Sequence, residues 1–267
     1  MKNMYATFKL YLLFYPRKSQ LVIAALGIVN VLCQIFLLDQ ISIIEQVEVT
    51  VADSMLCIFG GLEQTYRSAT FTNWLLTLLP IVLLIQTNAC PEGIHTLLIN
   101  RIGSRVKWWL AKSISMIFVI VFYQLFLFLI TALISSFIFQ TEAKWTGYTM
   151  LYYSGVYEAG IPAQTMMIIL LLFFVTGGMT LALLISTLHF VVNYDSKKIS
   201  IIILTFIVLA VLAINGVVPR YLSPFLYTST LDILPTYFTY WMNLSVNIGV
   251  LVICLFIGCL LSTRKQL

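Results

Sequence analysis

Apolar and polar positions alternate along this chain in long blocks. Six apolar stretches, 19–38, 70–86, 113–139, 162–190, 200–218 and 241–261, are separated by segments that hold every Lys, Arg, Asp and Glu. A helix needs about 20 apolar residues to cross about 30 Å of hydrocarbon, and each stretch is close to that length or exceeds it. A charge at the bilayer centre costs at least about 2.5–3.5 kcal/mol, which accounts for the clean interiors. The pattern predicts an all-α, polytopic membrane protein with six transmembrane helices occupying 19–267.

The connecting segments sort their charges. With the N-terminus inside, Lys2, Lys9, Arg17, Lys18, Arg101, Arg105, Lys107, Lys112, Lys197, Lys198, Arg264 and Lys265 fall on the inner side, and only Arg67, Lys144 and Arg220 fall outside. The positive-inside rule then gives an N-in, C-in topology. The acids lean the other way: Glu92 and Asp195 are inside, and Asp39, Glu45, Glu48, Asp53, Glu63, Glu142, Glu158 and Asp232 outside. Trp74, Trp145 and Trp241 fall near the expected outer boundary and Trp108 and Trp109 near the inner one. An indole suits that zone because it is apolar with one N–H to satisfy. Packing within the bundle is the alternative reading of each tryptophan.

Composition narrows the class further. The hydrophobic fraction is 61% and the mean hydropathy +1.00, well outside the soluble range. The net charge of +5 sits mostly on inner loops. It therefore points to anionic lipid headgroups and not to nucleic acid. Eighteen residues precede the first stretch and no small-x-small site follows it, so no cleaved signal peptide is expected. Only Cys57 among the five cysteines is firmly external, so no structural disulfide is expected. No Cys/His cluster with metal spacing occurs, and no catalytic constellation.

Before the first stretch, Met4, Phe8, Tyr11 and Tyr15 fall on one helical face, ringed by basic residues. Residues 1–18 therefore read as an interfacial amphipathic helix, with Pro16 turning the chain into the bilayer. The segment 215–240 mixes aromatic residues with Pro219, Pro224 and Pro235. It is not apolar enough to span and too apolar for a free loop. A re-entrant element at the outer face and an ordinary surface loop are the two readings. Within the spans, polar residues are sparse: Asn30 with Gln34, Asn73 with Thr77, Asn243 with Asn247, and Gln124, Thr205 and Asn215. Such residues serve as helix–helix glue or line a substrate path. Asn73, Thr77, Thr205 and Asn215 are the candidates for a path. Pro80 is expected to kink the second span, and Gly177-Gly178 to permit close helix approach.

The connection between the second and third stretches is the most informative. Pro91 and Glu92 suit the first turn of a helix, Ile94, Leu97, Leu98 and Ile102 form an apolar stripe, Gly103 stops it and Ser104 caps the next helix. A short amphipathic helix over about 91–102 is thus expected on the cytoplasmic face, joined directly to two spans.

At this connection the chain resembles the type-2 family of ABC export permeases. The match lies at Glu92, Gly93, Thr96, Leu97, Leu98, Arg101, Ser104, Arg105 and Lys112, while Gly103 stands where many members have a proline. The order of interfacial helix, six spans, long connection before the last span with Leu222-Ser223-Pro224, and cytoplasmic end is also similar. The resemblance implies a permease that pairs with a second permease subunit, identical or sister. Each pair would engage two cytoplasmic ABC ATPase subunits through the 91–102 coupling helix, with Glu92, Gly93, His95, Thr96, Leu97, Leu98, Arg101 and Arg105 as coupling residues. No G-x-x-x-x-G-K-[ST] loop occurs in the chain, so ATP and Mg belong to a separate subunit and the chain itself is not an enzyme. Neutral spans with scattered amides suit an amphipathic cargo: an antimicrobial peptide, a lipid-like molecule or a drug. A separate ATPase chain is an arrangement typical of bacteria, which implies a bacterial cell membrane. The alternative is a non-transporting sensor or immunity protein of similar topology. An intramembrane enzyme lacks its carboxylates here, and an importer lacks its Glu-Ala-Ala…Gly loop.

Overall fold

Backbone N–H and C=O groups cannot go unpaired in hydrocarbon, so an apolar chain of this kind folds as helices. The computed structural model follows that rule; it describes residues 17–61, 68–87, 104–192, 196–233 and 236–264. Among them run α1 (Arg17–Glu45), α2 (Val51–Phe59), α3 (Ser68–Thr87), α4 (Arg105–Ile138), α5 (Gly147–Tyr152), α6 (Ser154–Glu158), α7 (Ala163–Val191), α8 (Ser196–Ile214) and α9 (Tyr237–Arg264). Two 3-10 turns, Arg220–Leu222 and Pro224–Thr228, lie between α8 and α9.

Five of these helices, α1, α4, α7, α8 and α9, are long and apolar enough to cross a membrane. The chain is a multi-pass helical membrane protein. The stretch read at 70–86 forms α3, whose described apolar part, Trp74–Gln86, is shorter than the other five. The helix runs on through Pro80. The interfacial helix expected over 1–18 lies outside the described residues except for its last two positions, which open α1. The coupling helix expected over 91–102 lies outside them altogether.

Helix α7 is the centre of the bundle. It packs against α4, α9, α2, α3 and the second 3-10 turn, while α1 packs on α3 and α4. The buried face of α7 carries Met166, Leu170, Phe173, Phe174, Gly177, Gly178, Leu181 and Ile185. Helix α8 stands at the edge and touches the rest mainly through the 3-10 turns. Ile201, Leu204 and Val208 on its free side are exposed, as suits a surface bathed in lipid.

The connections are less watery than their composition suggests. Helix α2 sits inside the acidic 39–69 segment and is almost wholly buried. The segment 223–231 is buried as well. The Gly60 carbonyl receives Thr230 N at 2.8 Å and Leu231 N at 3.0 Å, and the Thr230 hydroxyl at 3.1 Å. Gly61 follows at φ +90°, with an added Cβ only 2.3 Å from Ser229 Oγ, so both backbone angle and space require glycine there. Residues 223–231 of the 215–240 segment are therefore packed into the bundle, while Val217, Tyr221 and Leu222 before them are exposed.

The tryptophans are corrected in part. Trp108 and Trp109 are wholly buried and Trp74 nearly so, while Trp241 is 61% exposed. Packing wins at the first three because neighbouring helices offer rings and glycines to cover them. Of the tyrosines in 140–161, Tyr148 and Tyr153 are buried in the protein and Tyr157 is exposed.

Candidate functional site

Three polar or aromatic centres hold the bundle. The first lies at the basic end, where α4 begins. Ser104 caps α4 by accepting from Lys107 N, and Arg105 stands in the first turn. Basic side chains there oppose the helix macrodipole. One turn on, Trp109 packs against Phe190 of α7 with centroids 5.8 Å apart, and Trp108 against the same ring at 6.0 Å. Gly258 of α9 completes the clasp: an added Cβ would lie 2.1 Å from Trp109 Cε2. Lys112 is 2% exposed and holds its ammonium 5.6 Å from the Trp108 ring centre. A desolvated cation–π contact of this kind is worth about 2 kcal/mol. His189 is buried nearby, within electrostatic reach of Lys112. The base of α4 is thus locked to the ends of α7 and α9.

The second centre is a polar seam inside the bundle. Gln124 of α4 donates to the Phe174 carbonyl of α7. Its amide sits where a side chain on Gly178 would go, with an added Cβ only 2.0 Å from Nε2. Thr180 donates to the Asn247 carbonyl at 3.1 Å. Asn247 Nδ2 in turn donates to the Tyr227 carbonyl at 2.9 Å. Gly177 lets that same carbonyl approach, since an added Cβ would meet Tyr227 O at 2.4 Å. Helices α4, α7, α9 and the second 3-10 turn therefore meet through bonds made inside the protein. Among these residues the glue reading holds.

The third centre ties down the opposite end. Asp53 is wholly buried. It accepts from Thr50 N at 2.8 Å and from the Thr149 hydroxyl. The Thr50 and Thr146 hydroxyls also reach it, at 2.8 and 2.9 Å. Thr50 and Asp53 form a capping box on α2. Ser54 and Ser135 join α2 to α4 at 2.6 Å. Beside this knot, burial pushes the Cys57 thiol up from its ordinary pKa, and burial likewise raises the Tyr148 phenol. Across the same end, Arg220 pairs with Asp232. It also donates to Asn243 Oδ1 at 2.9 Å, Leu226 O at 2.7 Å and Ser229 O at 2.8 Å. One guanidinium thus folds the whole 220–232 segment onto α9.

Most of the residues named from sequence lie outside the described residues. Glu92, Gly93, His95, Thr96, Leu97, Leu98 and Arg101 lie outside the described residues; Arg105 is inside them. Of the four path candidates, Asn73 falls in α3, at a position whose side chain is not described. Thr77 is buried and receives Gln34 Nε2 of α1 at 3.3 Å. Thr205 and Asn215 are exposed and bond back to their own helix, at Ile201 O and Val211 O. Thr77 is helix glue, and Thr205 lies on the exposed side of α8. Asp53 and Arg220 were missed as organising residues. The Thr50-x-x-Asp53 pattern before the apolar run Met55–Phe59 was the available signal for the first. Among the described residues, no group of three His, Cys, Asp or Glu side chains is placed to hold a metal ion.

No protein-family model matches the chain, and comparisons with curated proteins and with solved structures return no match.

Proposed function

We propose that this chain is the membrane subunit of an ATP-driven exporter, similar to the type-2 ABC export permeases, with six spans and both ends in the cytoplasm. A separate ATPase chain would bind ATP and Mg. A second permease subunit would complete the pathway for an amphipathic cargo in a bacterial cell membrane. The sequence feature that carries this reading is the amphipathic stripe Ile94, Leu97, Leu98 and Ile102, bracketed by Glu92 and Arg101 and directly preceding the start of α4 in the chain.

The base of α4 supports it mechanically. A partner pressing on residues 91–102 acts on Arg105, and the Trp109–Phe190–Gly258 clasp carries that displacement to α7 and α9. The 12 basic residues on one side supply the cytoplasmic orientation the reading needs, counted as Lys2, Lys9, Arg17, Lys18, Arg101, Arg105, Lys107, Lys112, Lys197, Lys198, Arg264 and Lys265.

The test is co-purification from the native host followed by reconstitution. An ATPase subunit should accompany the chain, and the chain alone should not hydrolyse ATP. Leu97→Asp should abolish pull-down, because it places a charge in an apolar contact. Glu92→Ala should assemble yet lose most cargo-stimulated ATPase activity. Normal assembly and normal stimulation in both variants would refute the proposal.

A further inference from the structure

A cleft of about 420 Å³ opens between α1, α3 and α4 near the basic end. Its lining is almost wholly apolar, with Ala24 on α1, Leu84 on α3 and Phe118 and Phe122 on α4. The rim faces outward: Phe118 is 54% exposed and Phe122 67%. In a membrane protein such a rim faces lipid. Two polar groups in the lining break the pattern. Gln20 Nε2 is fully buried, and so is the hydroxyl of Tyr123, itself 5% exposed; neither has a hydrogen-bond partner. A buried unpaired donor costs about 1–3 kcal/mol, so both groups call for an acceptor. Lys18, two residues before Gln20 on α1, is exposed.

We propose that this cleft binds one anionic glycerophospholipid from the leaflet nearest the start of α1. Its acyl chain lies along Ala24, Phe118 and Phe122. An ester carbonyl accepts from the Gln20 amide, and the phosphate faces Lys18. Three observations select this occupant over a plain hydrocarbon or a detergent. The cleft is long and apolar, spanning Phe118 to Phe126 on α4, about 12 Å at the helical rise. A donor without an acceptor stands in its wall. An exposed cation, Lys18, precedes that donor by two residues on α1. The order of cation, amide and apolar floor along α1 repeats the order of phosphate, ester and chain in a glycerophospholipid.

Native mass spectrometry of the purified full chain, delipidated and titrated with palmitoyl-oleoyl phosphatidylglycerol, tests the assignment. Wild type should take up one lipid per chain at low concentration. Ala24→Trp fills the floor and should weaken uptake at least tenfold, whereas Val29→Trp, on an exposed face of α1, should leave it unchanged. The diether analogue lacks ester carbonyls, so wild type should bind it roughly two- to tenfold more weakly, the worth of one hydrogen bond. Gln20→Leu should bind ester and ether lipids alike, and this comparison holds even where Ala24→Trp fails to fold. Phosphatidylcholine should bind more weakly than phosphatidylglycerol to wild type and equally to Lys18→Gln. Equal binding of ester and ether lipids by wild type, equal uptake by Ala24→Trp and wild type, or a tightly held molecule other than a glycerophospholipid would overturn the proposal. Lipid occupancy needs no ATPase, so a negative result leaves the export reading where it was.

Discussion

Gly177→Ala is a one-methyl perturbation at the most crowded point of the bundle. An ideal Cβ there would stand 2.4 Å from Tyr227 O, 2.5 Å from Tyr227 C and 2.6 Å from Thr228 N. All three are backbone atoms, so no side-chain rotation relieves the contact. The 3-10 turn must move away from α7 by about 1 Å to restore ordinary van der Waals spacing. Overpacking of this kind costs about 1–3 kcal/mol. The same movement stretches the 2.9 Å bond from Asn247 Nδ2 to Tyr227 O, worth about 1 kcal/mol. Helix propensity works in the other direction, since alanine is favoured over glycine by up to about 1 kcal/mol. The balance is a loss of about 2 kcal/mol, or about 4–8 °C in Tm for a domain of this size. The control is Gly249→Ala on α9, where an added Cβ meets nothing within 4 Å and only the propensity term remains. Thermal unfolding of both variants in the same detergent, followed by size-exclusion recovery, reads the difference. Gly177→Ala melting at or above wild type would mean that the 223–231 segment does not lie against α7.

Three further outcomes are expected. Arg220→Met leaves Asp232, only 5% exposed, without its guanidinium; this should cost about 3–5 kcal/mol, and adding Asp232→Asn should recover at least half of the lost unfolding free energy, with no recovery counting against the clasp. Asp53→Ala removes a charged acceptor and a helix cap together, about 3 kcal/mol in sum, and should expose 140–161 to added protease before the spans unfold; unchanged cleavage would show that Asp53 does not hold that segment. Cys57 should react with maleimide at pH 8 at least tenfold more slowly in the folded chain than in sodium dodecyl sulfate, because burial raises its pKa and the thiolate is the nucleophile; equal rates would place the thiol in water, and a topology probe is better set at Glu142→Cys, where the native side chain is 65% exposed.

The long helices were legible because lipid imposes one rule on every position of a span. Their ends were not. The first stretch was read only to 38, since Asp39, Gln40 and Ser42 break the apolar run, yet α1 continues to Glu45. Backbone hydrogen bonding continues a helix past the point where the side chains turn polar. Composition alone gives no sign that the acidic segment after it packs into the protein. Asp53 is satisfied by Thr146 and Thr149, more than 90 positions away, and a partner at that distance leaves no local trace. Trp108 and Trp109 misled for the same reason, as their cover, Phe190 and Gly258, comes from the far end of the chain. For the path candidates, residue spacing carried no direction: only packing shows that Thr205 is exposed and Thr77 buried.

Helix α4 is fastened at both extremities. One end is held through Trp109 to α7 and α9, and the other through Ser135 to α2. Its 34 residues make a strut of about 51 Å, well beyond the thickness of hydrocarbon. The fastenings are about 39 Å apart along the helix, so a tilt of about 5° about one would sweep the other by about 3 Å. Neither the ring clasp nor a 2.6 Å hydroxyl contact can stretch that far, so α4 cannot pivot alone. On the export reading proposed above, a working stroke would carry α2, α4, α7 and α9 together. The compliance then falls to the lightly packed members, α8 at the edge and α1 with α3 on the other flank.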